Sequence, residues 1–517
     1  MKAKPKLIYY HDSRHYLMYR FDPPMNLHQL RKPVDDLIGT PVDTIVYGTG
    51  MGQTFLYDTK IGYKFGEKAK NHISGLVWWR AEENLRQAIK SGYDPFKIVV
   101  DRAHEKGIKL VGSIRINDGG APEESTYAVG KLKYENPDVM IGEDDPDRPY
   151  VSTCLDFARK DVRNERLDVI EEICDRYNAD GIEIDEYIRV FFKPSQVEEN
   201  IPVLTQWIRD VRALLDDIGE KRGQHLSLSV RVHPSERACL DAGMDLRTWI
   251  REGLLDWITP FGDVVLLDPK PNFEWISREA AKVGTHVYPP LGRETYDDRF
   301  HVVTPEMTRA TATNFVAAGA SGIYLADLPW PHGEQEYQIM REMADPDVYA
   351  RKTKHYMVAP RTANPDKYMP DRNIPCTLGQ GDTGTVEVLV SDDLESAISD
   401  GVLDSVRLGI RLVQPHPNDT IVFKLNGETL PIADAKTSHY YGGTVPYFPV
   451  KTGMDMRINT HYWFEFDLPA ELIKHGSNLV EVTMEKRYKR FTADRVLQSV
   501  EIWVKYKDIP TPISGQM

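Results

Sequence analysis

The residues with the clearest capacity for chemistry lie at positions 180–187, Asp180-Gly181-Ile182-Glu183-Ile184-Asp185-Glu186-Tyr187. In an extended strand successive side chains point to opposite faces. Glu183 and Asp185 therefore share one face, and Ile182 and Ile184 share the other. Cleavage of a glycosidic bond needs two carboxyl groups, ~5–5.5 Å apart for retention of configuration and ~6.5–9.5 Å apart for inversion. Asp185, nearest the strand's end, is expected to be the first member of such a pair. The second is not fixed by the stretch itself. Asp263, Glu294 and Glu186 are the candidates, in that order, because each follows an inferred strand end. The competing expectation is that Glu183 and Asp185 are buried partners of structural arginines, and it fits the deeper Glu183 better than Asp185.

Two neighbouring strands bear on that choice. The third strand of the chain, 109–116, places Val111, Ser113, Arg115 and Asn117 on one face, with Asp118 just after. The fifth, 226–233, places Ser227, Ser229, Arg231 and His233 on one face. Two arginines then flank two carboxylates. A buried carboxylate must be paired or it takes up a proton. The arginines would hold Asp185 charged, as a nucleophile or an oxocarbenium-stabilising group requires. They would equally fix Glu183 as a structural ion pair. Recognition of sugar hydroxyls is expected from His11, Asp12, Asn117, His233 and Asp327, with Trp330 as a stacking platform. Arg115, Asp118, Glu183 and Arg231 complete the substrate-facing set.

Other chemistries fit less well. There is no Gly-x-Ser-x-Gly elbow and no His-Glu-x-x-His pair. His11, His233 and His332 follow strand ends, which keeps a metal-dependent hydrolase as a second enzyme class, but no metal ligand set and no cofactor site is expected. The glycines at 48, 50 and 52 are only loosely like a nucleotide loop, because Gln53 stands where a third glycine of a dinucleotide fingerprint would fall.

The elements that must position these residues alternate along the chain. An amphipathic helix over 160–178, with Val162, Leu167, Ile170, Ile173, Cys174 and Tyr177 at helical spacing, feeds the acidic strand. Further strands are expected at 7–10, 44–47, 255–261, 286–290 and 322–327, with helices such as 94–106 and 304–318 between them. Eight strands alternating with helices predict a (β/α)8 TIM barrel over residues 1–350, with apolar residues outward and the carboxylates at its mouth. A long insertion carries Trp78 and Trp79, which would either stack on sugar rings or pack within the loop. The acidic loop at 123–147 reads as a solvated rim. Pro360, Pro365, Pro370 and Pro375 mark a linker over 351–375. Short strands at 384–390, 404–412, 420–425, 462–467, 478–485 and 496–506, with an Asn426-Gly427 hairpin signal, predict a C-terminal β-sandwich over 376–510. It carries no ligand motif, and a bracing role is expected for it.

Composition sets the outer bounds. A chain of 517 residues is expected to form two domains. With 41% hydrophobic and 27% charged residues it reads as a soluble globular protein. A net charge of −14 argues against nucleic acid or an anionic membrane as partner. No apolar run is long enough to span a bilayer, and the start of the sequence shows no apolar signal region. The cytoplasm is therefore expected, or export with a signal already removed. The four cysteines are scattered, which speaks against a disulfide scaffold or a thiolate zinc site. A carbohydrate is the expected partner, and a homo-oligomer is left open.

The acidic stretch resembles the fourth-strand signature of glycosyl-hydrolase-like, family 10-like barrels from polysaccharide-degrading bacteria. Similar segments are 113–118 (Ser-Ile-Arg-Ile-Asn-Asp), 229–232 with Cys239 and 243–250, 322–325, and in the tail 408–430 and 463–469. The resemblance covers nearly the whole chain and implies a carbohydrate-active barrel followed by a β-domain. The fourth strand is also similar to that of family 18 chitinases, Asp-Gly-x-Asp-x-Asp-x-Glu. Here Glu183 replaces the middle Asp, and Tyr187 stands at the position of the general-acid Glu. True family 10 xylanases carry Asn-Glu on this strand, where this chain has Asp185-Glu186. An Asp at the end of strand four is more like barrels that cleave α-glycosides with an aspartate nucleophile.

Overall fold

The computed structural model describes residues 4–507 except 52, 70–74, 121–127, 147, 149, 186–189, 263–265, 296, 298, 327, 361–366, 370 and 442–459. The chain forms two compact units. The first comprises Met1–Val264, Asn272–Pro290 and Ala318–Ala344; the second comprises Val265–Pro271, Leu291–Ala317 and Asp345–Met517.

The first unit is built on a curled parallel sheet of nine strands: β1 (Ile8–His11), β2 (Thr44–Gly48), β3 (Lys109–Arg115), β4 (Gly181–Asp185), β5 (Ser227–Val232), β6 (Trp257–Pro260), β7 (His286–Val287), β8 (Pro290–Leu291) and β9 (Tyr324–Leu325). Their order is β7-β6-β5-β4-β3-β2-β1-β9-β8. Helices occupy the connections, among them Pro95–Glu105 and the 26-residue Val197–Arg222. The first of these starts where the sequence dictates: Pro95 needs no N–H partner at a first helical position, and the Asp94 side chain accepts the Phe96 and Lys97 N–H groups. One face of the sheet gathers Ile8, Tyr10, Val46, Val111, Trp257, Tyr288, Tyr324 and Ala326 into a single buried cluster. On the other face of β4, Ile182 and Ile184 are fully buried.

The helix feeding β4 is shorter than its apolar spacing predicts. Regular α-helix runs over Lys160–Glu171, and the next turn, Glu172–Arg176, is a π-turn. The Glu172 carboxylate accepts the Thr59 hydroxyl at 2.7 Å and the Lys60 N–H at 2.6 Å, which ties this turn to the insertion before β3. Strand β4 then begins at Gly181, with φ +154, where a Cβ would stand 2.2 Å from the Ser227 carbonyl oxygen. Only glycine allows β4 and β5 to approach so closely there.

The second unit contains two antiparallel sheets. One has the order Lys354–Val358, Val496–Tyr506, Leu403–Val413, Thr460–Leu468, Lys436–Tyr441, with Cys376–Thr377 also paired to Val496–Tyr506. The other has the order Thr383–Val390, Gly476–Lys486, Thr420–Leu425, Glu428–Leu430. The alternating apolar residues of both enter one core, with Val386, Phe423 and Val482 from one sheet and Leu408, Ile410, Val500 and Ile502 from the other. The Asn426-Gly427 signal forms a two-residue turn with positive φ at both positions, joining strands paired Leu425 to Glu428.

Residues 354–358, inside the stretch expected to be a linker, form a fully buried strand. The sequence conceals it because two of its buried side chains are polar. Lys354 reaches Asp392 at 2.8 Å, and His355 lies 2.8 Å from Glu501. Among the described residues no helix is long and apolar enough to cross a membrane.

Candidate functional site

The site follows from the strand register. Ser113, Glu183, Ser229 and Trp257 lie side by side across β3, β4, β5 and β6. Two residues further along the same strands lie Arg115, Asp185, Arg231 and Thr259. Because the side-chain period of a strand is two, these rows form successive layers on one face of the sheet, with the acids at the centre of each.

In the lower layer Glu183 is fully buried. Its Oε1 accepts the Ser113 hydroxyl at 2.9 Å and the Tyr324 hydroxyl at 3.1 Å. Its Oε2 has no hydrogen-bond partner among the described residues. Burial pushes this carboxyl up to about 7, against the Arg231 charge and with the help of the Asp185 charge. The expected ion pair between Glu183 and an arginine does not form among the described residues. Two neutral hydroxyls donate to the acid instead, and these bonds lower its pKa against the larger effect of burial.

In the upper layer Asp185 is 2% exposed. Arg231 Nη1 lies 3.6 Å and Arg115 Nε 3.9 Å from Asp185 Oδ2. Both are ion-pair distances beyond direct hydrogen bonding, and no described residue donates a hydrogen bond to this carboxylate. Arg231 is itself fixed by aromatic faces, with Phe261 at 4.3 Å, Tyr10 at 4.7 Å and Tyr324 at 5.9 Å from its guanidinium carbon. Such a carboxylate is charge-compensated at both sides, and none of the described residues bonds its oxygens directly. The expectation of an acid on an open rim is corrected in one respect: Asp185 sits within the layer.

Asp118 follows β3 and is half-buried, and its pKa is raised by burial against the charges of Arg115, Lys133 and Arg14. Its backbone is clamped. The carbonyl accepts Lys133 Nζ at 2.9 Å and Gln53 Nε2 at 3.3 Å, and the N–H donates to Asn117 Oδ1 at 3.0 Å.

Several residues expected to meet a sugar are occupied otherwise. Asn117 donates to the Leu155 and Val190 carbonyls and accepts the Leu155 N–H, so it pins loops together. Asp12 receives Arg14 Nε at 3.2 Å and Nη2 at 2.8 Å. Burial would raise its pKa, but the Arg14 and His15 contacts hold it well below the usual range. His11 shares neither the face nor the cluster of its neighbour Tyr10. It stacks on Tyr47 at 5.3 Å, and burial lowers it to about 3, so it stays neutral. His233 is fully buried and its Nδ1 accepts the Ser235 N–H at 3.0 Å. Trp330 donates to Asp36 at 3.1 Å and meets Phe21 edge-on. Trp78 packs on Tyr19 and Phe65, whereas Trp79 is 38% exposed. Glu294 belongs to the second unit, where Arg293 Nε donates to it at 3.0 Å. Glu186, Asp263 and Asp327 lie outside the described residues. Among the described residues, no three His, Cys, Asp or Glu side chains group so as to hold a metal ion.

Sequence reasoning missed Tyr10 and Tyr324. Their alternation with Tyr9 and Leu325 on short apolar strands reads as core, and only the register shows that they wall the Asp185–Arg231 pair.

No protein-family model and no curated protein matches the chain. Solved structures that it is similar to include glycoside hydrolases. A noncanonic maltogenic α-amylase from Thermotoga neapolitana is 12% identical with a TM-score of 0.39, over 75% of this chain and 86% of that one. An α-L-fucosidase isoenzyme from Paenibacillus thiaminolyticus is 14% identical with a TM-score of 0.39, over 68% of this chain and 50% of that one. A glycoside hydrolase family 18 N-acetylglucosaminidase from Paenibacillus barengoltzii is 10% identical with a TM-score of 0.35, over 65% of this chain and 98% of that one.

Proposed function

We propose that the protein is a glycoside hydrolase acting on an oligo- or polysaccharide, with Asp185 as its central carboxylate. The observation that carries this reading is Asp185 itself, an acid at the C-terminal end of β4, flanked by two guanidiniums and directly bonded by none of the described residues. A charged acid in that state is suited to stabilise positive charge at an anomeric carbon, either by attacking it or by opposing it. The layer beneath is compatible with the same reading, because burial raises the Glu183 pKa to about 7 and so weakens the negative charge it places beside Asp185 at acidic pH.

The scaffold for this activity is a (β/α)8 barrel. Strands β7 and β8 are consecutive in the chain and form the two edges of the sheet. Tyr288 N donates to Ile258 O on one side, and Tyr324 N donates to Pro289 O on the other. We read 286–291 as one barrel strand that closes the ring, with the barrel over 1–350 and a β-sandwich over 376–510. Catalytic groups then belong at the C-terminal ends of the strands.

The deep burial of Asp185 favours one second reading, a non-catalytic carbohydrate-binding barrel in which the acid only balances the arginines. Assay of the purified protein on a panel of polysaccharides and aryl glycosides separates the two. Release of reducing ends or of the aryl alcohol, lost in Asp185→Asn, supports the enzyme. Sugar binding without turnover supports the binding barrel.

A further inference from the structure

We propose that the second unit binds one buried water molecule as a fixed component, held by His355 Nδ1, Arg372 Nη2 and the Thr311 hydroxyl. The site lies wholly within that unit and does not depend on the glycosidase reading.

Strand alternation sets up the site. In Lys354–Val358, Tyr356 enters the core between the two sheets, so His355 and Met357 share the opposite face. Met307 and Thr311 lie four residues apart on helix Pro305–Ala317, one above the other on the same side. These side chains, together with Leu266 and Arg372, line one cavity. Leu266, Met307 and Met357 are apolar, so a polar atom turned toward the cavity finds no partner on those walls.

The His355 ring is held in place from three sides. It stacks on Trp503 at 3.8 Å, meets Phe300 edge-on at 5.2 Å, and places Nε2 2.8 Å from Glu501 Oε2. Burial would raise the Glu501 pKa, but His355 and Arg299 hold it below the usual carboxylate range. A charged carboxylate only accepts, so Nε2 supplies the N–H of this bond. His355 is 1% exposed, and its Nδ1 has no hydrogen-bond partner among the described residues. Arg372 is in a similar state. Its Nη1 donates to the Ala359 carbonyl at 2.9 Å. Its Nη2 lies 3.0 Å from Asp268 Oδ1 without the alignment of a hydrogen bond, and no other described group bonds it.

An acceptor on one wall and a donor on another call for a molecule that both donates and accepts. Size then selects it. The free space is about 10 Å³, enough for the centre of one water molecule and too little for a sugar. Water donates to His355 Nδ1 and accepts from Arg372 Nη2. The Thr311 hydroxyl offers a third bond, within the roughly two to four that a buried water makes. The water thus ties together three stretches that are separate in the chain: the helix carrying Thr311, the strand carrying His355, and the segment around Arg372.

The test is a crystal structure of the full chain at a resolution that shows ordered water. One peak of water-like density is expected about 2.7–3.2 Å from both His355 Nδ1 and Arg372 Nη2. His355→Phe keeps a ring against Trp503 and removes both nitrogens, and the peak should vanish from that variant. A cavity without density in the wild type overturns the site, as does a direct bond from His355 Nδ1 to a protein group. Density too heavy for water overturns the choice of ligand. A peak that persists unchanged in His355→Phe overturns the part assigned to His355. If His355→Phe does not fold, the presence or absence of the wild-type peak decides alone.

Discussion

Arg231 Nη1 stands 3.6 Å from Asp185 Oδ2, and the guanidinium carrying it lies over the Phe261 ring at 4.3 Å and the Tyr10 ring at 4.7 Å. The aromatic faces restrict where the cation can go, so the charge beside Asp185 is fixed by packing as well as by attraction. Replacing Arg231 by Met keeps most of the apolar contact and removes the charge. Among the described cations Asp185 then keeps Arg115, at 3.9 Å. Breaking a buried pair from one side costs about 3–5 kcal/mol, to be read from urea unfolding. Urea unfolding like that of the wild type would show that this pair does not hold the fold.

Glu183 predicts a pH dependence of stability. Its folded pKa is raised to about 7 from 4.5. Below about 4.5 both the folded and the unfolded chain hold the proton, and stability is complete. As pH rises toward 7 the unfolded chain releases it while the folded protein must keep it, so stability falls, levelling off above 7. At 1.36 kcal/mol per unit the loss is of order 3 kcal/mol. Glu183→Gln should flatten this part of the curve, with the gap between variant and wild type opening between pH 4.5 and 7. Parallel melting curves for the two proteins over that range would contradict the assignment.

The Asp12–Arg14 pair predicts a stability effect where a sugar-binding role predicts an affinity effect. Both side chains are about 4% exposed and bidentately joined. Asp12→Asn leaves the Arg14 charge buried without its partner, at a cost of about 3–5 kcal/mol. Calorimetry should show a large fall in Tm. A variant with wild-type Tm and a raised KM would restore Asp12 to the substrate.

The β-rich unit has its own test. The side chains of Asp419 and Arg495 are shielded from solvent and doubly bonded, with Nε to Oδ2 at 2.8 Å and Nη2 to Oδ1 at 3.0 Å. Asp419 also accepts the His416 and Tyr488 N–H groups, so it fixes two loops. Asp419→Asn should lower the stability of this unit by about 3–5 kcal/mol. Limited proteolysis should then cut first in the C-terminal region, and a digestion pattern like that of the wild type would sink the prediction.

Much of this arrangement could be read from residue order, because strand alternation is a local property. Ile182 and Ile184 opposite Glu183 and Asp185 implied one apolar and one acidic face, and the arginines at 115 and 231 fell on matching positions of the neighbouring strands. Asn426-Gly427 needed only its own turn preference. What stayed hidden depends on contacts far apart in sequence. Asn117 looked like a hydroxyl ligand because its partners, Leu155 and Val190, lie 38 and 73 residues away. Glu183 looked like an arginine's partner because the hydroxyl of Tyr324 comes from 141 residues further on. Strand Lys354–Val358 read as linker because its buried lysine and histidine find acids at 392 and 501. The pairing of Asp12 with Arg14 is local, yet it needs the turn after β1 to fold both side chains inward.

The most direct measurement is turnover by Asp185→Asn on whichever glycoside the wild type cleaves, with Tm recorded alongside. Loss of at least about a thousandfold in kcat, as removal of an electrostatic group at a reacting centre produces, in a protein that still unfolds cooperatively, is the predicted result. Wild-type turnover by the folded variant would contradict the central role of Asp185.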